Sequence, residues 1–194
     1  PGLNAAFIDV GYEKDGFQHY LDLGPKVRTM MKFIELTRAG KLRSPMLDRF
    51  RPEPEIEKTG KIDEVLKQGI DILVQVAKEP ISTKGPRLTT ELSFAGKYMV
   101  LVPFSDKVSI SQKIRTNDEK KRLKDIFKGI KPKGFGLIVR TAAQNKKVAD
   151  LESDLKELVD RWVKMIEKVT DAKPPTRVMG ELSRSSSMLR DMLS

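Results

Sequence analysis

The 194-residue chain is 39% apolar, enough for one or two packed domains, and carries 37 Lys and Arg against 27 Asp and Glu, a net charge of +10 that favours a polyanionic partner, nucleic acid first. It has no Cys, which excludes disulfides and thiolate metal sites and fits a reducing cytoplasm, and a single His, His19, which argues against His-based metal sites and triads. No run approaches the roughly 18 apolar residues of a membrane-spanning helix, no signal-peptide layout is present, and a chain that opens on Pro1 is expected to be a piece of a longer polypeptide.

Pro1 to Asn4 is turn chemistry, and Ala5 to Val10 follows as a strand, with Phe7 and Asp9 on one face and Ile8 and Val10 on the other. A turn over residues 11–16 leads into a second strand, Phe17 to Leu21. Phe7 and Phe17 are either core or an aromatic platform on which bases stack, with Lys14 near the backbone phosphates. Leu23 to Gly69 reads as an insertion or mobile loop. Met30, Met31, Phe33, Ile34 and Leu36 suit a short helix, but residues 40–60 are rich in Pro, Arg, Lys and Glu with little periodicity. Asp63 to Gly69 offers one or two helical turns closed by Gly69. Ile70 to Lys78 alternates as a strand, a turn from Glu79 to Pro86 exposes Lys84, and Arg87 to Ser93 is a further strand. Short alternating strands at this spacing predict an oligonucleotide-binding (OB) barrel, whose remaining strand is expected before Pro1.

After Phe94 to Lys97, Tyr98 to Pro103 reads as a buried strand, and Val108 to Ile114 as an alternating one with Ser109, Ser111 and Lys113 on one side. Thr116 and Glu119 fit a capping box, with Asn117 the rival N-cap. Leu123, Ile126 and Phe127 supply the buried stripe, and Gly129 stops the helix. Leu137, Ile138 and Val139 form a buried strand that ends abruptly in Arg140, Thr141 and two alanines. A guanidinium fork and a hydroxyl where the chain leaves a strand suit a phosphate seat. The plainer alternative is an edge-strand Arg that snorkels or pairs with a surface acid. Asp150 to Val169 keeps the 3.6-residue period through Leu151, Leu155, Leu158, Val159, Trp162, Val163 and Ile166, with Trp162 in the core. Pro174 and Pro175 punctuate a linker, Thr176 to Leu182 is a candidate strand, and Ser185 to Leu193 a helix capped by Ser185, Ser186 or Ser187.

Five stretches carry a resemblance: Leu3-Asn4-Ala5-Ala6-Phe7-Ile8-Asp9-Val10-Gly11, Gly16-Phe17, Thr83-Lys84-Gly85-Pro86-Arg87-Leu88-Thr89-Thr90, Gly96-Lys97-Tyr98-Met99-Val100-Leu101-Val102-Pro103 and Gly136-Leu137-Ile138-Val139-Arg140-Thr141-Ala142. In this order they resemble the ribonuclease E/G family of bacterial endoribonucleases, in particular its ribonuclease G type, over essentially the whole chain outside the insertion. The resemblance implies an α+β fold. Residues 1–91 would be an OB-fold RNA-binding barrel, incomplete without its first strand and interrupted by the insertion at about 23–69. Residues 92–171 would be an α/β subdomain sensing a 5′-monophosphate, and 172–194 the start of an RNase H-like subdomain. Phe7, Phe17 and Lys84 match the family's RNA-contacting residues. Arg140 and Thr141 match those that hold the 5′-phosphate, with Gly96 and Val100 lining the same pocket. An arginine pair of well-studied members is replaced here by Gln112 and Lys113, so contacts to the first nucleotide are expected to be weaker or redistributed.

The resemblance further implies a parent polypeptide that is a homo-oligomeric, Mg-dependent, single-strand-specific endoribonuclease of mRNA and rRNA processing and decay. It would act in the cytoplasm on single-stranded RNA bearing a 5′-monophosphate, with no membrane partner. In the family, cleavage uses Asp carboxylates holding Mg²⁺ in a later subdomain, outside this chain. No residue here is therefore expected to be catalytic or metal-ligating, and the chain is expected to be inactive by itself. Two alternatives remain at this point: a non-catalytic OB-fold protein that binds single-stranded RNA without regard to its end, and a scaffold piece whose open barrel edge pairs with another chain.

Overall fold

Alternating side chains build a first small sheet in the computed structural model, which describes residues 2–180. β1 (Ala5–Ile8) and β2 (Gly16–His19) form an antiparallel hairpin that pairs Phe7 with Phe17 and Ile8 with Gly16. β3 (Gln75–Lys78) pairs antiparallel with β4 (Arg87–Thr89), and β4 runs parallel to β2, giving the order β1-β2-β4-β3. Gly16 has to lack a side chain, because a Cβ there would fall 2.4 Å from the fully buried Leu88.

β3 is shorter than the alternation from Ile70 predicts. Ile72 and Leu73, consecutive residues, both pack on the main core, which an extended strand cannot arrange because successive side chains point to opposite faces. The predicted turns at Asp63 to Gly69 reduce to one 3-10 turn, Ile62–Glu64, and the strand predicted to Ser93 ends at Thr89.

α1 (Val27–Arg38) is a full twelve-residue helix within the stretch read as an insertion. It packs on the main core through Met30, Phe33 and Ile34, with Phe33 fully buried against Phe50, Phe104 and Trp162. Residues 40–60 carry no helix or strand, as their composition predicts, but they are fastened at several points. The Tyr20 hydroxyl donates to Glu57 O (2.5 Å), the Asn4 side chain bridges Gly60 O and Ile62 N, and Trp162 Nε1 donates to Pro45 O (2.8 Å).

The second sheet contains β5 (Phe94–Ala95), β6 (Met99–Pro103), β7 (Val108–Ile110) and β8 (Phe135–Val139), in the order β5-β6-β8-β7. β7 is parallel to β8, and the connection between them carries α2 (Asn117–Ile130). Met99, Leu101, Phe135, Leu137 and Val139 project inward with period two and are fully buried. α3 (Val148–Asp171) covers that face with Leu151, Leu155, Leu158, Trp162 and Ile166. Trp162 is the hub: the rings of Phe33, Phe104 and Phe135 lie 5.7 Å from it and Phe94 6.0 Å.

Local signals were partly overruled here. Thr116 is the N-cap of α2, but its side chain makes no capping bond, and the Glu119 carboxylate that a capping box would turn back to Thr116 N is engaged by Arg122 and by the Asn145 backbone. The helix runs through Gly129 and stops at Lys131, whose extended backbone is what a following Pro132 demands. β7 ends at Ile110, and the chain turns so that Ile114 can be buried. Residues 176–180 form no strand; the rest of that expected strand and the expected 185–193 helix lie outside the described residues, as does Pro1. The fold is α+β, with two small sheets and three α-helices among the described residues, none of them long and apolar enough to cross a membrane.

Candidate nucleic-acid interface

The end of β8 presents its cation outward. Arg140 N donates to Tyr98 O (2.8 Å), which continues the register after Met99 and Val139 by one pair. The exposed guanidinium donates from Nη1 to Gly96 O at 2.7 Å. A single bond to a neutral carbonyl orients the group and leaves donors for a ligand. Among the described residues no carboxylate pairs with it. Thr141 is exposed at the start of the 3-10 turn Thr141–Ala143, which is anchored by the buried Ala143.

Gly96 closes the turn between β5 and β6, donating to Met99 O at 2.8 Å. A Cβ there would meet Asp154 Oδ2 at 2.7 Å and Leu158 Cδ1 at 2.9 Å. Asp154 stands so close because its carboxylate accepts the backbone N–H groups of Lys97 (3.0 Å) and Tyr98 (2.8 Å). Val100 pairs with Ile138, and both lie on the same outward face as Arg140. Ile138 is 48% exposed, not buried as its apolar run implies: period two sends Leu137 and Val139 in and Ile138 out. The structure thus gathers Gly96, Val100, Arg140 and Thr141 around the outward face of the paired central strands β6 and β8, toward the C-terminal end of β8. Gln112 and Lys113 are exposed in the turn that follows β7, close to the end of β8 through the bond from Ser111 N to Val139 O (2.9 Å).

Sequence reasoning missed Lys146 and the cationic part of Lys97. Their ammonium groups stand 5.7 and 5.2 Å from the Tyr98 ring centroid. The only sequence signal was the basic pair Lys146-Lys147 shortly after Arg140, and nothing local says it folds back over Tyr98. Glu119 and Arg122 arrange that: their side chains join through two 2.7 Å bonds, Glu119 Oε1 accepts Asn145 N (2.9 Å), and Arg122 Nη1 donates to Lys146 O (3.3 Å). The hydrogen bond from Arg122 holds the Glu119 carboxyl below its ordinary 4.5.

On the first sheet, Phe7 is 68% exposed and half-buried Phe17 meets it edge to face at 5.8 Å, with the His19 ring 6.4 Å beyond Phe17. An exposed Phe7 is not core. Lys84, distant in sequence, is exposed in a turn that docks on the β1–β2 connection. Lys14 Nζ donates to Thr83 O (2.6 Å), Phe17 N donates to Pro86 O (2.8 Å), and Gly85 has no room for a Cβ, which would sit 2.1 Å from Asp15 O.

These two surfaces lie in a chain whose residues 93–194 match the model of the Ribonuclease E/G family. The chain belongs to that family. It is 33% identical over 191 residues to Ribonuclease G of Escherichia coli K12, covering 98% of this chain and 35% of that protein. It is 34% identical over 195 residues to Ribonuclease E of Synechocystis sp. PCC 6803, covering 100% and 25%, and 33% identical over 193 residues to Ribonuclease E of Nostoc sp. PCC 7120, covering 99% and 24%. The chain therefore spans about a third of the length of Ribonuclease G and a quarter of that of Ribonuclease E.

Proposed function

We propose that this chain is the RNA-binding and 5′-end-sensing part of a single-strand-specific endoribonuclease that processes and degrades cytoplasmic RNA. The observation that carries the reading is Arg140: an exposed guanidinium aimed by one bond to Gly96 O, without an acidic partner among the described residues, beside Thr141. A phosphomonoester is a dianion near neutral pH and takes a guanidinium fork and a hydroxyl directly. Phe7, Phe17 and Lys84 would hold the strand elsewhere, by stacking that tolerates any sequence and by charge. The names of the family members support a ribonuclease, and the basic surplus supports a polyanion.

In this reading residues 1–91 are an OB-type barrel. The order β1-β2-β4-β3 leaves β1 and β3 as edges, and one more strand pairing with both would close a five-stranded barrel. Residues 92–171 are the end sensor and 172–194 the start of an RNase H-like subdomain, in a homo-oligomeric parent. Cleavage belongs to other parts of the polypeptide. Among the described residues no group of three or more His, Asp or Glu could hold a metal, and no chemical step is assigned to them.

The test is fluorescence anisotropy of a short single-stranded RNA carrying a 5′-monophosphate or a 5′-hydroxyl, titrated with this chain and with Arg140→Ala. The expected result is a preference for the monophosphate that the substitution abolishes. Equal binding of both ends, unchanged in the variant, would leave an end-indifferent RNA-binding module and overturn the sensing role.

A further inference from the structure

Two lysine ammonium groups flank one buried tyrosine next to the proposed phosphate seat. Tyr98 is the cross-strand partner of Arg140, so the two side chains share the outward face, with Cβ atoms roughly 4.5–5.5 Å apart. Lys97 Nζ and Lys146 Nζ lie 5.2 and 5.7 Å from the Tyr98 ring centroid, within cation–π range. Asp154, the acid beside them, has its two oxygens on backbone N–H groups, and among the described residues none of the three cations forms an ion pair. Gathering like charges costs Coulombic energy that a bound anion offsets. One terminal phosphate, about −1.5 to −2 near neutral pH, leaves roughly one unit of the three cations' charge unmatched, which is the charge of one phosphodiester.

The backbone under Lys146 is fixed rather than free. Asn145 takes a left-handed φ of 58°, its N–H is held by Glu119, Lys146 N donates to Ala143 O (3.3 Å), and Lys146 O accepts from Arg122. We infer that Lys97 and Lys146 form a second anion subsite, which takes the phosphodiester immediately 3′ of the end held by Arg140 and Thr141. The inference rests on the end-sensing reading above. The division of residue types suits the two ligands: a planar fork for a terminal dianion, and ammonium point charges for a singly charged diester that offers no such end.

The test titrates the chain, Lys146→Gln and Lys146→Arg with the same two RNAs over a range of salt concentrations. Because an internal diester is present in both RNAs, Lys146→Gln is expected to weaken both equally, by about fivefold, and to reduce the magnitude of the log–log salt slope by about 0.7. Lys146→Arg restores most of both, and the preference for the monophosphate persists in Lys146→Gln. Unchanged affinity and slope would overturn the subsite. A loss confined to the 5′-monophosphate RNA would overturn it as well, since the lysine would then be holding the end. Failure of the end-sensing reading shows elsewhere, as an absent preference in the unmodified chain, while the Lys146 effect is read on the 5′-hydroxyl RNA.

Discussion

Arg87 and Arg140 both sit at strand ends, and their surroundings give them opposite uses. Arg87 donates from Nε and Nη2 to the two Asp22 oxygens at 2.9 and 3.1 Å, and that bond raises its already high pKa. Its charge is neutralised inside the molecule. Arg140 donates to a neutral carbonyl, and no carboxylate among the described residues pairs with it. Phe7 makes the same contrast with the buried phenylalanines. Replacing it with Ala is expected to cost about 1–3 kcal/mol of single-stranded RNA affinity, while thermal melting changes by no more than about 0.5 kcal/mol, because the ring is 68% exposed. Unchanged RNA affinity would remove Phe7 from the interface. Gly96→Ala should behave differently, destabilising the fold by about 1–3 kcal/mol in chemical denaturation, since its Cβ would press on Asp154 and the buried Leu158. Arg140, Thr141 and Phe7 were candidates in the sequence that the family resemblance favoured over plainer readings, and the structure leaves all three exposed. Lys146 was not, because its placement depends on two residues of α2, more than twenty positions earlier.

Among the elements, α3 was the easiest to read, since its apolar residues repeat with helical period along its whole length, and α1 was harder because irregular chain follows it. β5 and the true ends of β3, β4 and β7 were not legible: two to four residues of strand carry little periodicity, and tertiary packing decides where they stop. The hub of the packing predicts a large effect. Trp162→Ala should cost about 3–5 kcal/mol in denaturant unfolding, because four phenylalanine rings lose their common neighbour. A loss under about 1 kcal/mol would contradict this packing. The link from α2 to the Lys146 loop predicts a pH dependence. The folded Glu119 carboxyl titrates below its ordinary 4.5, chiefly through Arg122. Its contribution to stability is therefore fully present above about pH 4.5 and is lost as pH falls through the lowered folded value. Glu119→Gln should flatten the acid limb of the melting-temperature profile; an identical profile would show that the pair contributes nothing there. Asp106, lowered by its bond from Gly134 N and by Lys131, acts in the same direction and remains in the variant.

For the whole molecule, a net charge of +10 pointed to a polyanion before any element was placed, and the α+β class came with the family resemblance. Sequence could not show that α1 would join the core built around α3, because Phe33 and Trp162 lie far apart along the chain and only the closed fold brings them to 5.7 Å. In the proposed reading, the outward face of β6 and β8 around Arg140 recognises a phosphorylated RNA end. Amide chemical shifts of the ¹⁵N-labelled chain, titrated with a 5′-phosphorylated RNA dinucleotide and with its 5′-hydroxyl twin, test it most directly. Gly96, Val100, Arg140 and Thr141 are expected to shift with the phosphorylated form and far less with its twin. Equal shifts with both, or none at these four residues, would contradict it.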